Sequence, residues 1–256
     1  MVAVSHRGIT HHDHWLVPTV ECKSDMTIDE DASLWIFGYG SLMFKRPLHH
    51  MPISDTFERY DGYIEGYIRR FWQSSSDNRG TPEYLGRVVT IIPAEEVLYN
   101  EKMQESLLKH ELNHEKYRQL LQEFSNANDE FEEKEKLNAI SSLLKVKGCV
   151  YRVPPQHAKL AREYLDLREQ DGYTVENVEF ICDGDGRRIN CQVYVGTPEN
   201  TSFVGAEEDD KTAAIIHKAV GPSGPNDEYL LRLQEQDPCD TYLLNLKNIV
   251  LSKKAA

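Results

Sequence analysis

Residues 95–147 form 53 consecutive positions without a glycine or a proline, closed off by Pro93 on one side and Gly148 on the other. Turns draw on those two residue types, so a stretch without them reads as helix. Apolar residues recur at Met103, Leu107 and Leu108, then at Tyr117, Leu120, Leu121 and Phe124, the spacing of one helical face. NAND (126–129) supplies a break and a new N-cap, with a second helix running through Leu144. Twelve acidic and eight basic residues leave most faces of the block to solvent. It reads as an insertion between two strands of one domain, because added loop length costs little free energy. The other reading is a projecting helical hairpin that binds a protein partner.

On either side the texture is that of strands. LWIFGYG (34–40) is a buried strand running into a glycine turn. GYIEGYIRRFW (62–72) and RVVTII (87–92) are rich in aromatic and β-branched residues, with a polar loop, QSSSDNRGTPEYLG, between them. GCVYRV (148–153) returns to strand. A helix of about eleven residues follows the proline pair at 154–155, with Leu160, Tyr164 and Leu167 on one face. YTVENVEFIC and NCQVYVG are strands joined through GDG (184–186), and three helical stretches complete the chain. Short strands with intervening helices and no regular βαβ alternation give an α+β fold. The domain is expected over 33–256, preceded by a flexible extension, 1–32.

The chain has 256 residues and a net charge of −13, from 29 basic and 42 acidic side chains. That balance disfavours binding to phosphate backbones and anionic membranes. No apolar run is long enough to span a bilayer, and the first residues do not pattern as a secretory signal. Five cysteines without a CxxC pair point to reduced thiols in the cytoplasm rather than disulfides or structural zinc. His6, His11, His12 and His14 offer imidazoles, but in a polar leader without a framework they read as a tail and not a metal site.

Four stretches could carry chemistry. FGYGSLMF (37–44) places glycines around Tyr39 at a strand end, where a turn can aim N–H groups at a carboxylate or an oxyanion, or serve as a plain tight turn. It fits no nucleotide-binding fingerprint. In LDLREQDGY (165–173), Glu169 ends an amphipathic helix; it is either a solvated charge or a pocket carboxylate with a raised pKa. RRFWQSSSDNRGTP (69–82) carries Arg69, Arg70 and Arg79, of which one could draw in a small anion while the others are solvated. GPSGPNDEYL (221–230) is a rigid turn opening a helix that carries Tyr229, either a substrate contact or partly buried core.

Taken together and in this order, FGYGSL, RRFWQSSSDNRGTP with GRVVTI, YLDLREQDGY, YVGT and GPSGPNDEYL resemble the ChaC family of γ-glutamylcyclotransferases. The resemblance implies a compact mixed β-barrel with peripheral helices, working without metal or organic cofactor. It implies a carbon–nitrogen lyase that cleaves glutathione to 5-oxoproline and cysteinylglycine. The turn Gly38, Tyr39, Gly40, Ser41, Leu42 and Met43 would hold the γ-glutamyl group. Glu169 would be the general base and acid, and Tyr229 a further substrate contact. The helical block and the His-containing leader exceed the family pattern. Other γ-glutamyl amines or peptides as substrate, or a non-catalytic protein displaying the 95–147 helices, are the alternatives.

Overall fold

The structure is a computed structural model and describes residues 33–112, 115–126, 129–168 and 173–255. The leader 1–32, with its four histidines and Cys22, lies outside the described residues, as does Glu169. In chain order the strands are β1 (Leu34–Gly38), β2 (Glu58–Glu65), β3 (Tyr67–Ser75), β4 (Gly86–Pro93), β5 (Lys145–Val153), β6 (Thr174–Cys182), β7 (Arg188–Val195) and a small hairpin, β8 (Val220–Gly221) with β9 (Gly224–Pro225). The helices are α1 (Ala94–Leu98), α2 (Glu101–His110), α3 (Glu115–Ser125), α4 (Glu130–Ser141), α5 (Pro155–Arg168), α6 (Asp209–Lys218), α7 (Asn226–Gln236) and α8 (Thr241–Ala255). Among the described residues no helix is long and apolar enough to cross a membrane.

Five strands close a barrel in the order β1–β5–β2–β6–β7, antiparallel at each step until β7 meets β1 in parallel at Ile36 and Gln192. The expected α+β barrel with outer helices is the one found. GYIEGYIRRFW, however, is two strands and not one. Gly66 sits at φ +83°, a conformation that L side chains resist, and its reversal sends β2 into the barrel and β3 into a separate two-stranded sheet with β4.

That second sheet is covered on both faces, which explains its nearly unbroken apolar run. Phe71, Val89 and Ile91 join the barrel core, whereas Ile68, Trp72 and Ile92 face the other way. The residues they meet there are Val97, Leu98, Met103, Leu107, Leu112, Leu121, Ile140 and Leu144. The helices between β4 and β5 therefore build a second core, and the projecting hairpin is excluded. Among the described residues there are four of them, where two were expected. Asn100 caps α2 by accepting the Met103 N–H at 3.2 Å, and Asp129 caps α4 by accepting the Glu132 N–H at 2.9 Å. The last helix stops at Ser141, and β5 starts at Lys145, ahead of the glycine at which a strand was expected.

Polar links tie this block to the rest. The Arg70 guanidinium, fully buried, donates to both Glu111 carboxylate oxygens at 2.7 and 2.6 Å and lies 4.5 Å from the Tyr242 ring centre. Lys109 and His110 both reach Asp209 at the start of α6. Burial alone would raise the Asp209 pKa, but the hydrogen bonds from His110 and Lys109 outweigh it and hold the carboxyl at about 2. In α5 the inward stripe is Ala161 and Leu165, with the expected Tyr164 partly buried against the same core, whereas the expected Leu160 and Leu167 are exposed. Small Ala161 lets the helix lie close to the barrel, so side-chain size, not apolarity alone, chose the face.

Leu107 is wholly buried in the second core. Leu107→Ala is expected to lower stability by about 2–5 kcal/mol, read as the urea midpoint; an unmoved midpoint would mean that the helices add nothing to the folded core. Asp209 has a folded pKa below its unfolded one, so its stabilisation is full above the unfolded value of 3.8 and drains away as the pH falls towards about 2. Asp209→Asn should then be less stable than the parent at neutral pH, with the gap closing between pH 4 and pH 2 (roughly the titration range).

Candidate functional site

Three side-chain donors, Arg69 and Tyr151 buried and Arg59 half-buried, fix the turn after β1 by its carbonyl oxygens. Arg69 on β3 donates to the Tyr39 carbonyl at 3.0 Å, the Tyr151 hydroxyl on β5 to that of Leu42 at 2.9 Å, and Arg59 on β2 to that of Met43 at 2.7 Å. Within the turn, Met43 N–H closes on the Gly40 carbonyl at 3.0 Å. A trans peptide sets its N–H opposite its carbonyl. The Gly40 N–H therefore faces away from buried Arg69, and Gly40 itself lines a cavity of about 320 Å³. That volume lies at the small end of the range for small-molecule sites, about 300–1,000 Å³.

The two turn glycines serve close approach. Neither is among the glycines with positive φ. A Cβ on Gly38 would stand 2.4 Å from Leu42 Cβ, and one on Gly40 would stand 2.8 Å from the Tyr229 hydroxyl and 3.0 Å from Val89 Cγ2. Gly40 is thus the space into which Tyr229 reaches. Tyr229 is buried, with its ring 6.1 Å from Phe44 and 5.6 Å from Phe71, centre to centre. It arrives there because Asn226, at the start of α7, pairs with the β4 backbone: its carboxamide accepts the Arg87 N–H at 2.6 Å and donates to the Arg87 carbonyl at 2.7 Å.

Of the expected site residues, Gly38, Tyr39, Gly40, Ser41, Leu42 and Tyr229 all line this cavity. Met43 is not among its lining residues: it is buried, and its sulfur accepts from Arg69 at 3.4 Å. Glu169 lies outside the described residues, while Leu165 and Tyr173, four positions to either side, line the cavity.

The arginines separate sharply. Arg69 and Arg70 are buried and bound to carboxylates, not solvated. Arg79 alone of the three lines the cavity, with its guanidinium 5.5 Å from the Tyr229 ring centre. Nη1 donates to the Pro225 carbonyl at 3.0 Å and is 4.0 Å from the Glu228 carboxylate. Burial pulls its pKa below the ordinary value, with Glu228 opposing. Lys45, His49, Gln73, Asp77, Asn78 and Tyr194 also line the wall and were not singled out from sequence. Polar residues in a loop look alike until the fold shows which are inward.

Cysteine and metal chemistry are poorly provided for nearby. Burial pushes the Cys149 thiol to about 11 and that of Cys191 to about 12, so neither is a thiolate at neutral pH. Among the described residues no group of three or more His, Cys, Asp or Glu side chains is placed to hold a metal ion.

The ChaC-like protein family model matches residues 34–252, a span that holds the barrel, the second sheet and every described wall of the cavity. A glutathione-specific gamma-glutamylcyclotransferase of Saccharomyces cerevisiae is 36% identical over 228 residues, covering 81% of this chain and 86% of its own. The Schizosaccharomyces pombe protein of the same name is 34% identical, covering 81% and 84%. A crystal structure of a yeast gamma-glutamyl cyclotransferase specific to glutathione superposes with a TM-score of 0.69 at 32% identity, covering 87% of this chain and 97% of that one. With the barrel, the anchored glycine turn and the matched span in agreement, the chain belongs to the ChaC family.

Proposed function

We propose that this protein is a γ-glutamylcyclotransferase that degrades glutathione, releasing 5-oxoproline and cysteinylglycine. The observation that carries the reading is the turn 38–43, pinned by its carbonyls to Arg69, Tyr151 and Arg59, with Gly40 lining one cavity together with Tyr229 and Arg79. The two yeast relatives bear the name of this activity.

The reaction needs no outside nucleophile. The α-amine of the γ-glutamyl group attacks its own δ-carbonyl, forming the C–N bond of a five-membered lactam, and the amide bond to the cysteinyl nitrogen breaks. Holding the curled conformer provides the orientation gain of an intramolecular step. The amine must first shed a proton, because an ammonium has no lone pair. In our reading Glu169 takes that proton and returns it to the departing cysteinyl nitrogen. Amides at the head of the 38–43 turn stabilise the oxygen that becomes negative as the carbon turns tetrahedral. Arg79 supplies a cation for a substrate carboxylate.

We assign the protein to the cytoplasm, on the free thiols of Cys149, Cys182, Cys191 and Cys239. A second reading, in which the α1–α4 block also seats a protein partner, rests on the exposed rings of Tyr99 and Phe131.

Glu169→Gln is expected to keep the fold and glutathione binding while cutting 5-oxoproline release by roughly 10²–10⁴-fold; near-normal release would refute the assignment. In Gly40→Val the added carbons enter the space between Tyr229 and Val89. Glutathione saturation should weaken at least tenfold (on the order of 1.4 kcal/mol), together with a lower melting temperature as buried Tyr229 and Val89 give way, and unchanged saturation kinetics in the folded variant would remove the turn from the binding site.

A further inference from the structure

Gln73 lies in the cavity wall, is 1% exposed, and neither Oε1 nor Nε2 of its carboxamide has a hydrogen-bond partner among the described residues. A buried amide left with both its donor and its acceptor unused costs free energy, and an apolar side chain of the same shape would be cheaper. A position that keeps glutamine at such a cost points to a ligand that completes it. The backbone is specialised here as well. The ladder between β3 and β4 shifts register between Arg70 and Gln73, and irregularities of this kind re-aim side chains beside functional sites. Gly196 leaves room for the carboxamide: a Cβ there would stand 2.6 Å from Gln73 Oε1.

The location of Gln73 says which part of a substrate it meets. Gln73 pairs with Val88 on β4, and the next residue, Val89, is the one that touches the Gly40 position. β1 and β7 run parallel with Ile36 opposite Gln192, so Gly40 and Gly196, each four residues further on, leave the barrel at the same end. Gln73 thus stands beside the turn assigned to the γ-glutamyl group, and not across the cavity from it.

We infer that the Gln73 carboxamide grips the α-amino-acid head of the γ-glutamyl substrate, with Oε1 accepting an N–H of the α-amine and Nε2–H donating to the α-carboxylate. This rests on the function proposed above. The head carries a donor and an acceptor on one carbon, the complement of a carboxamide, and the soft terminal torsion of glutamine lets the amide turn to meet it. An acceptor on the amine's N–H leaves its lone pair directed at the δ-carbonyl. Gln73 is in this role a positioning residue for the nucleophile.

The test compares wild type, Gln73→Met and Gly196→Ala with two substrates that share the head and differ beyond it, glutathione and γ-glutamyl-alanine. Gln73→Met is expected to raise KM at least tenfold for both, to abolish the thermal upshift that either ligand gives, and to leave the unliganded melting temperature unchanged or higher. Gly196→Ala keeps the carboxamide but presses on it, so it should raise KM for both substrates and covers the case in which Gln73→Met fails to fold. Loss confined to glutathione would place Gln73 on the cysteinylglycine portion and overturn the inference. A lower melting temperature with KM unmoved would make the residue structural and overturn it too. A wild type that binds both ligands without turnover would refute the proposed reaction alone, since the upshift still reports on Gln73.

Discussion

One buried cation organises this molecule. Arg69 is 2% exposed, and its guanidinium is shared among Asp237 at 2.5 Å, Asp240 at 2.6 Å and the carbonyls of Tyr39 and Lys147 at 3.0 and 3.1 Å. Burial opposes its charge, yet Asp240 and Asp237 hold its pKa above the ordinary value. Through that single group the site turn, the start of β5 and the junction between α7 and α8 are fixed relative to one another. Stranding such a charge by removing a partner costs about 3–5 kcal/mol, so the site turn and the global fold stand or fall together. Arg70, the next residue, does the same on the opposite face of β3, binding Glu111 and stacking on Tyr242. Adjacent strand residues point to opposite faces, so a pair of arginines bolts both layers to one strand.

This arrangement explains why the helices between β4 and β5 belong to the enzyme and not to its periphery. The β3–β4 sheet and the loop joining its strands carry Gln73, Arg79, Val88 and Val89 to the cavity wall, and the other face of the sheet would be bare without α1–α4. A two-stranded sheet alone is marginal in water. With Trp72, Ile68 and Ile92 buried against Leu107 and Ile140, the strands become a stiff support for the cavity wall. Rigid placement of wall residues is what an orientation-driven reaction demands.

Much of this was legible in the sequence, and the failures have physical causes. Strands, the main helices and the glycine turn announced themselves through periodicity and turn chemistry. The role of Gly40 did not, because its need is room for the Tyr229 hydroxyl, and a contact 189 residues away leaves no local signature. The face of α5 was placed correctly at Tyr164 but not at Leu160 and Leu167, because Ala161 counts little on an apolar scale although its small size sets the packing. Arg69, Arg70 and Arg79 are the same residue type within eleven positions, yet two are structural and one faces the cavity. Their carboxylate partners lie at 111, 237 and 240, beyond the reach of any pattern within a window. Gln73 gave no signal for a related reason: a glutamine in a polar loop is unremarkable until its two amide atoms prove to be buried and unmatched.

The net charge of −13 bears on how an anionic tripeptide is held. A long-range field of that sign repels glutathione, but screening confines surface charge to about 8 Å at physiological ionic strength. Within the cavity the balance among the described residues is different, because Lys45 and Arg79 line the wall against Asp77. Attraction in this protein is therefore local and short-ranged. Capture must depend on groups that touch the substrate, and little on electrostatic steering of its approach. A site that works this way discriminates by matching donors to acceptors, since a buried polar group left unpaired is penalised far more than a distant charge can repay. In the function proposed above, the anchored turn, Arg79 and the unmatched amide of Gln73 would work together, each offering a polar group to the complementary part of the ligand.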